Sequence, residues 1–261
     1  MASSQHAPPP PNPPPPTNLS ITPKPKERDF LTHFETYLAK RDGVDKLLKI
    51  SRYTAKLILA SNLSASDPNL THRLKSFESS VGVSRKAFRL GKFVQDLNAL
   101  RNTRVDSTRD LIFSFIAYGG EGFYFFIEQF VWLSKTGLID PKRSKTFTKI
   151  SAYAEFIGYF GSIALKTRDL KIIVEDEACL KSSIEINVLR GDGCGEEEIK
   201  LRKLREKILM KKLSIVQDLA DGLMALDDIL DGKGLFSKPI VLSSAGLLSA
   251  LISTHKNWVS C

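Results

Sequence analysis

The sequence predicts an all-α protein: a membrane-associated helical bundle with an N-terminal amphipathic helix region and C-terminal membrane segments. Three observations predict it. Apolar residues recur at three- and four-residue intervals from Phe30 almost to the C-terminus, the period of helices rather than strands. A stretch within residues 73–104 sets cations against aliphatic side chains on opposite sides of one helix. Residues 111–133 and 240–252 are dominated by apolar side chains, as segments that meet lipid or a deep core must be.

The elements divide the chain into six parts. Residues 1–26 form a Pro-rich tail in which positions 8–16 are proline except for Asn12. Such a run favours extended polyproline II and packs no core. Residues 27–109 form the N-terminal amphipathic helical region. There Phe30, Leu31, Phe34 and Leu38 mark a first helix ending at Asp42-Gly43, and Val44, Leu47, Leu48, Ala55 and Ile58 mark a second. A loop containing Pro68 leads into a long helix, softened at Gly82 and Gly91, since each glycine costs about 1 kcal/mol relative to alanine.

That long helix carries the candidate site. At about 100° per residue, Arg85, Arg89 and Lys92 fall on one side, and Lys86 sits on the flank. Val83, Ala87, Leu90, Val94 and Leu97 fall on the other side. A cationic stripe opposite an apolar one describes a helix lying in an anionic membrane surface. It equally describes a surface helix docked on a core with its charges in water.

Residues 110–168 form an apolar, membrane-associated helical region. Its 111–133 stretch is long enough to cross a hydrocarbon core of about 30 Å at about 1.5 Å per residue. However, Gly119-Gly120-Glu121-Gly122 interrupts it, and Glu121 and Glu128, seven apart, share one face. A crossing helix and a hairpin broken at the glycines both fit, because carboxylates at membrane depth turn inward to a bundle or cavity. A second apolar stretch, 150–165, contains Glu155 and repeats Ala154, Gly158 and Ser162 at intervals of four, spacing that permits close helix packing.

Residues 169–198 read as a polar connection and 199–231 as an amphipathic helix, basic in its first half and acidic in its second. The last part, 232–261, is a C-terminal membrane segment and tail. Its uncharged run, 240–252, is shorter than the roughly 20 residues of a standard span. A tilted span and a buried C-terminal helix both fit it.

Composition narrows the function. Thirty-eight Lys and Arg against 29 Asp and Glu give a net charge of +9, which suits anionic lipid or nucleic acid. Nucleic acid is the weaker fit, since single-strand binders set aromatics beside their cations and this stripe faces aliphatics. Cys179, Cys194 and Cys261 are too few and too scattered for a disulfide framework or zinc site. His6, His33, His72 and His255 stand apart from one another, and Asp227 and Asp228 are adjacent, so they point to different helix faces. The sequence therefore predicts no enzyme, no cofactor and no metal site.

Two runs add a resemblance. Ala39-Lys-Arg-Asp-Gly-Val-Asp-Lys-Leu-Leu-Lys49 and Ser80-Val-Gly-Val-Ser-Arg-Lys-Ala-Phe-Arg-Leu-Gly-Lys-Phe93 resemble the peroxisomal membrane protein 11 family, or peroxin 11. Its plant branch, and the A-type in particular, is nearest. The resemblance implies a peroxisomal membrane protein that inserts an amphipathic helix, elongates the membrane and promotes fission, and so controls organelle size and number. It implies that Arg85, Lys86, Arg89 and Lys92 face anionic lipid while Val83, Ala87, Leu90, Val94 and Leu97 insert. It also implies homo-oligomers, hetero-oligomers with family members, a tail-anchored fission adaptor and a dynamin-related GTPase. Glu121 and Glu128 depart from the cleaner apolar segments of that family. They and Glu155 support an alternative, a membrane pore for small metabolites; a soluble basic helical binding protein is the remaining one.

Overall fold

The computed structural model describes residues 29–61, 67–103, 107–191, 195–234 and 236–261. The Pro-rich tail and Cys194 lie outside them. The described residues are helical and contain no strand: α1 (Phe30–Ala39), α2 (Arg41–Ala60), α3 (Pro68–Phe88), α4 (Phe93–Asn102), α5 (Thr108–Lys135), a 3-10 turn at Pro141–Arg143, α6 (Ser144–Arg190), α7 (Gly195–Ile229) and α8 (Pro239–Val259).

Local chemistry sets the breaks. The Asp67 carboxylate accepts the backbone N–H groups of Asn69 and Leu70 at 2.9 and 3.1 Å, capping α3, with Pro68 in the first turn where no N–H is needed. The long helix expected through Gly82 and Gly91 breaks only at the second. Gly91 has φ +73°, a conformation open to glycine and strained for other residues, and it turns the chain into α4. Gly82 stays helical because its bare face receives the Arg52 guanidinium; a Cβ there would stand 3.1 Å from Arg52 Cζ.

The glycines at 119–122 do not break α5 into a hairpin. They thin it where α6 crosses. A Cβ on Gly120 would stand 2.7 Å from Gly158 Cα, and one on Gly161 would stand 2.6 Å from the Ala117 nitrogen. Backbone approaches backbone there, which only small residues permit. Tyr124, Phe125 and Ala154 form the adjoining core, with Phe93 of α4 against it.

Two further expectations change. The polar connection placed at 169–198 is helical as far as Arg190, within an α6 of 47 residues. Beyond the bundle, α6 and α7 pair as a hairpin held by charge: Lys211 Nζ lies 2.7 Å from Asp169, and Arg205 Nε lies 3.0 Å from Glu177. Polar composition there reflects two helices paired through their charges, not a loop. In addition, none of the described helices is long and apolar enough to cross a membrane. The crossings expected at 111–133 and 240–252 are therefore not met: α5 carries Glu121 and Glu128, and α8 carries Ser243, Ser244, Ser249 and Ser253.

α8 lies along α2, with Gly246 against the Tyr53 ring. Its end meets α1, where Trp258 packs on Phe30, Phe34 and Tyr37 and its carbonyl is 3.0 Å from His33 Nε2. The first described helix and the C-terminus thus share one end of the bundle.

The distribution of side chains is inverted relative to a water-soluble bundle. Beside a few larger apolar groups such as Tyr37, Phe125, Val131 and Ile252, buried positions hold alanines, serines and charged groups, including Asp45, Lys49, Arg85, Glu128, Asp218 and Asp221. Large apolar side chains lie outside, as on α5 (Leu111, Ile112, Phe115, Phe123, Phe126) and on α6 (Ile150, Tyr153, Ile157, Phe160). Buried charge and contiguous exposed apolar surface are the informative departures from ordinary packing.

The crossing predicts a contrast between neighbouring glycines. Gly120→Ala should destabilise by about 1–3 kcal/mol, because the backbone it meets cannot yield. Gly119→Ala, whose Cβ would meet only the Phe115 ring at 3.9 Å, should stabilise by about 0.5–1 kcal/mol through helix propensity. Thermal unfolding of both variants in detergent checks the opposite signs.

Candidate functional site

The helix singled out from the sequence presents its cations to the protein interior. Arg85 is 4% exposed, and its Nε donates to Asp45 Oδ1 at 3.0 Å. Arg89 donates through Nη1 to Tyr124 Oη at 2.6 Å and to Glu128 Oε2 at 3.2 Å, and its Nε lies 3.6 Å from Asp45. Lys86 forms an ion pair with Glu128, and Lys92 Nζ lies 3.2 Å from Asp42. Arg89 and Lys92 also stand over the Phe125 ring, adding cation–π attraction.

The lipid-facing placement expected for Arg85, Lys86, Arg89 and Lys92 is therefore corrected in this fold. The cause lies on other helices. Asp45 of α2 and Glu128 of α5 are buried, and a buried carboxylate is strongly destabilising unless cations and donors surround it. The cations supply that environment, and their helix turns to face it. Its other side turns outward: Val83, Ala87 and Leu90 are half-buried, while Val94 and Leu97 are 53% and 63% exposed. The Leu90 carbonyl accepts from Arg41 Nη1 at 2.7 Å, pinning the α3–α4 turn.

Ala154, Gly158 and Ser162 are on α6 as their spacing requires, but they serve two neighbours. Ala154 and Gly158 face α5, while Ser162 Oγ donates to Asp218 of α7 at 2.8 Å. Gly161, which the fourfold spacing skipped, makes the other close approach to α5.

Inside the bundle lies a polar cavity of about 390 Å³ lined by α2, α3, α5, α6, α7 and α8. Glu121, Glu128 and Glu155 all border it. Lys49 of α2 donates into this interior, to Asp221 at 2.8 Å and Ser249 at 2.6 Å. Asp45, Lys49, Tyr124 and Asp221 were not singled out from the sequence. The available signal was Glu128 itself, a carboxylate in an apolar stretch that requires inward-facing partners.

Titration follows from this setting. Burial would raise the Asp45 carboxyl, but attraction to Arg89 and Arg85 outweighs it and holds the group well below the usual carboxylate range. Glu128 is likewise raised by burial and brought down to about 2 by Lys86 and Arg89. Glu155 lacks such compensation: burial, reinforced by Asp221, pushes it up to about 8, and Tyr159 Oη lies 2.8 Å from its Oε1.

Comparison with known proteins places this architecture. The family model of Peroxisomal biogenesis factor 11 matches residues 31–258. The chain belongs to that family. It is 63% identical over 238 residues to Peroxisomal membrane protein 11A of Arabidopsis thaliana, covering 91% of this chain and 96% of that one. It is 53% identical over 237 residues to Peroxisomal membrane protein 11-3 of Oryza sativa subsp. japonica, covering 91% and 92%. The likeness reaches Peroxisomal membrane protein PMP30B of Candida boidinii at 27% over 251 residues, covering 87% and 94%. No solved structure matches. The protein is a peroxisomal membrane protein, and the apolar exterior of its bundle suits that place.

The ion pairs predict an acid limb. The folded pKa values of Asp45 and Glu128 lie below unfolded values of about 4, so their stabilisation is complete above about pH 5 and is lost as pH falls toward 2. Asp45→Asn should flatten that limb and lower stability at neutral pH by about 3–5 kcal/mol, leaving buried cations uncompensated. Melting temperature against pH in detergent measures both effects.

Proposed function

We propose that this chain remodels the peroxisomal membrane without catalysing a reaction. The outer apolar side of α3, α4 and α5 enters one leaflet, widens it and drives elongation ahead of fission, and so sets peroxisome size and number. Family membership supports the setting. The observation that carries the reading is the outward apolar side: Val94 and Leu97 of α4 and Phe126 of α5 are exposed, and the Phe126 ring is 5.5 Å from Phe93 across the α4–α5 contact.

In this reading Arg85, Lys86, Arg89 and Lys92 act from within. They hold the helix pair on α2 and α5 so that Val94 and Leu97, and more shallowly Val83, Ala87 and Leu90, face lipid. Attraction to anionic lipid falls to exposed cations flanking the apolar side, Arg101 and Arg109, each contributing about 1 kcal/mol near an anionic surface. Insertion of two side chains is reversible for one copy, so elongation requires crowding. Self-association and association with family members supply it through effective concentration. Scission itself falls to a tail-anchored fission adaptor and a dynamin-related GTPase.

Val94→Asp combined with Leu97→Asp tests the insertion without disturbing the interior, because both positions are exposed. The double variant should keep its melting temperature and lose vesicle binding by about tenfold or more, a part of the 1.5–3 kcal/mol that full burial of each side chain provides. Elongation of vesicles and of peroxisomes should disappear with it. Arg101→Glu with Arg109→Glu should weaken binding to anionic vesicles only, and chiefly at low salt. Full elongation by the Val94/Leu97 variant would overturn the reading.

A further inference from the structure

The charge cluster between α2, α3 and α5 is not balanced by its own carboxylates. Lys46, Arg85, Lys86 and Arg89 share Asp45 and Glu128, four cations against two anions. The surrounding groups are committed elsewhere: Lys92 to Asp42, Lys49 to Asp221, Arg52 to Glu78 and Lys166 to Asp218. Glu155 borders the same cavity, but burial pushes it up to about 8, so it offsets little of this charge at neutral pH. Glu121 and Asp228 border the cavity too, and burial raises both carboxyls, so cations outweigh anions around Arg85.

One of these cations also has an unused donor. Arg85 is 4% exposed, its Nε is occupied by Asp45, and its Nη2 is buried with no hydrogen-bond partner. Buried donors are almost always satisfied, and a vacant one calls for a partner of its own. Arg85, Lys46 and Arg89 all border the polar cavity of about 390 Å³, a size within the range of small-molecule sites.

We propose that this cavity is a binding site for a phosphate-class dianion, with the Arg85 guanidinium and Lys46 ammonium as its principal contacts. Charge and geometry select the class. A phosphate monoester carries close to two negative charges at neutral pH and offers three acceptor oxygens, matching both the excess of cations and the vacant Nη2 donor of Arg85. A monocarboxylate brings a single charge and two acceptor oxygens, a poorer match to a cation-rich cluster. The cavity exceeds a phosphate group, so an organic remainder or water fills the rest. Lys46 suits the role because its one recorded carboxylate contact, to Asp45, is long at 3.5 Å, leaving the ammonium free to turn to a better acceptor. The phosphate group has two possible sources, a soluble phosphate ester or a lipid headgroup, and both present the same chemistry. The site does not depend on leaflet insertion.

Full-length protein in detergent micelles provides the test, with melting temperature and calorimetric titration as readouts at neutral pH. The probes are inorganic phosphate, glycerol 3-phosphate and micelles doped with phosphatidic acid, against sodium chloride at equal ionic strength. Saturable binding of phosphate, with a raised melting temperature that chloride does not reproduce, is the expected result. Lys46→Gln and Arg85→Lys should each weaken it about tenfold, as loss of one charge-assisted contact does. Lys149→Ala, which removes a cation outside the cavity, should leave it unchanged. Arg85→Lys keeps the charge facing Asp45, so weakened binding with an intact fold separates the ligand contact from a structural role. Preference for glycerol 3-phosphate points to a soluble ester, and preference for phosphatidic acid points to a headgroup. Absence of saturable phosphate binding in the unaltered protein, or equal binding by the well-folded Lys46→Gln variant, would overturn the proposal. The Val94/Leu97 variant should bind phosphate normally, so failure of the membrane reading and failure of this site remain distinguishable.

Discussion

Two carboxylates taken out of water, Asp45 on α2 and Glu128 on α5, impose the main constraint on this bundle. Each would be strongly destabilising alone. α3 carries Arg85 and Lys86 in its last turn, and Arg89 caps its end, so the three reach both carboxylates at once. Satisfying the carboxylates fixes how α3 is rotated about its axis. The turn at Gly91 then passes that orientation to α4, whose Val94 and Leu97 face away from the protein. An interior electrostatic requirement thus determines which apolar side chains are offered to the surroundings.

The same logic organises the remaining helices. With charge and serine inside, close packing comes from small residues, and Gly120, Gly158 and Gly161 let α5 and α6 meet backbone to backbone. Large side chains are thereby displaced to the exterior, where Phe115, Ile157 and Phe160 stand exposed. In water such a surface would associate or aggregate. On the proposed reading it faces acyl chains, where dispersion, hydrogen bonding and ion pairing inside the bundle replace the hydrophobic drive.

Much of this was legible in the sequence. The helical period, the two-sided character of the helix around Arg89 and the small-residue spacing on α6 all follow from residue order. So did family membership, through the runs at 39–49 and 80–93. The rotation of α3 was not legible, because a helical projection states which residues share a side but not which side meets a neighbour. That depended on Asp45 and Glu128, which lie 40 and 43 positions from Arg85 in the chain and announce no pairing locally. Glu128 nevertheless signalled an inward face, and the cations were its natural partners. Residues 169–190 were misread for a different reason: without a core around it, the α6–α7 hairpin needs no broad apolar stripe, so its helix lacks the usual mark.

The claim beneath this account is that the cations of α3 are coupled to carboxylates inside the bundle rather than to lipid. A double-mutant cycle on Lys86 and Glu128 addresses it most directly, using Lys86→Met, Glu128→Gln and their combination in lipid nanodiscs. The account predicts a coupling energy of about 1–3 kcal/mol, the same in neutral and anionic lipid. A coupling near zero, with Lys86→Met altering only the affinity for anionic lipid, would contradict it.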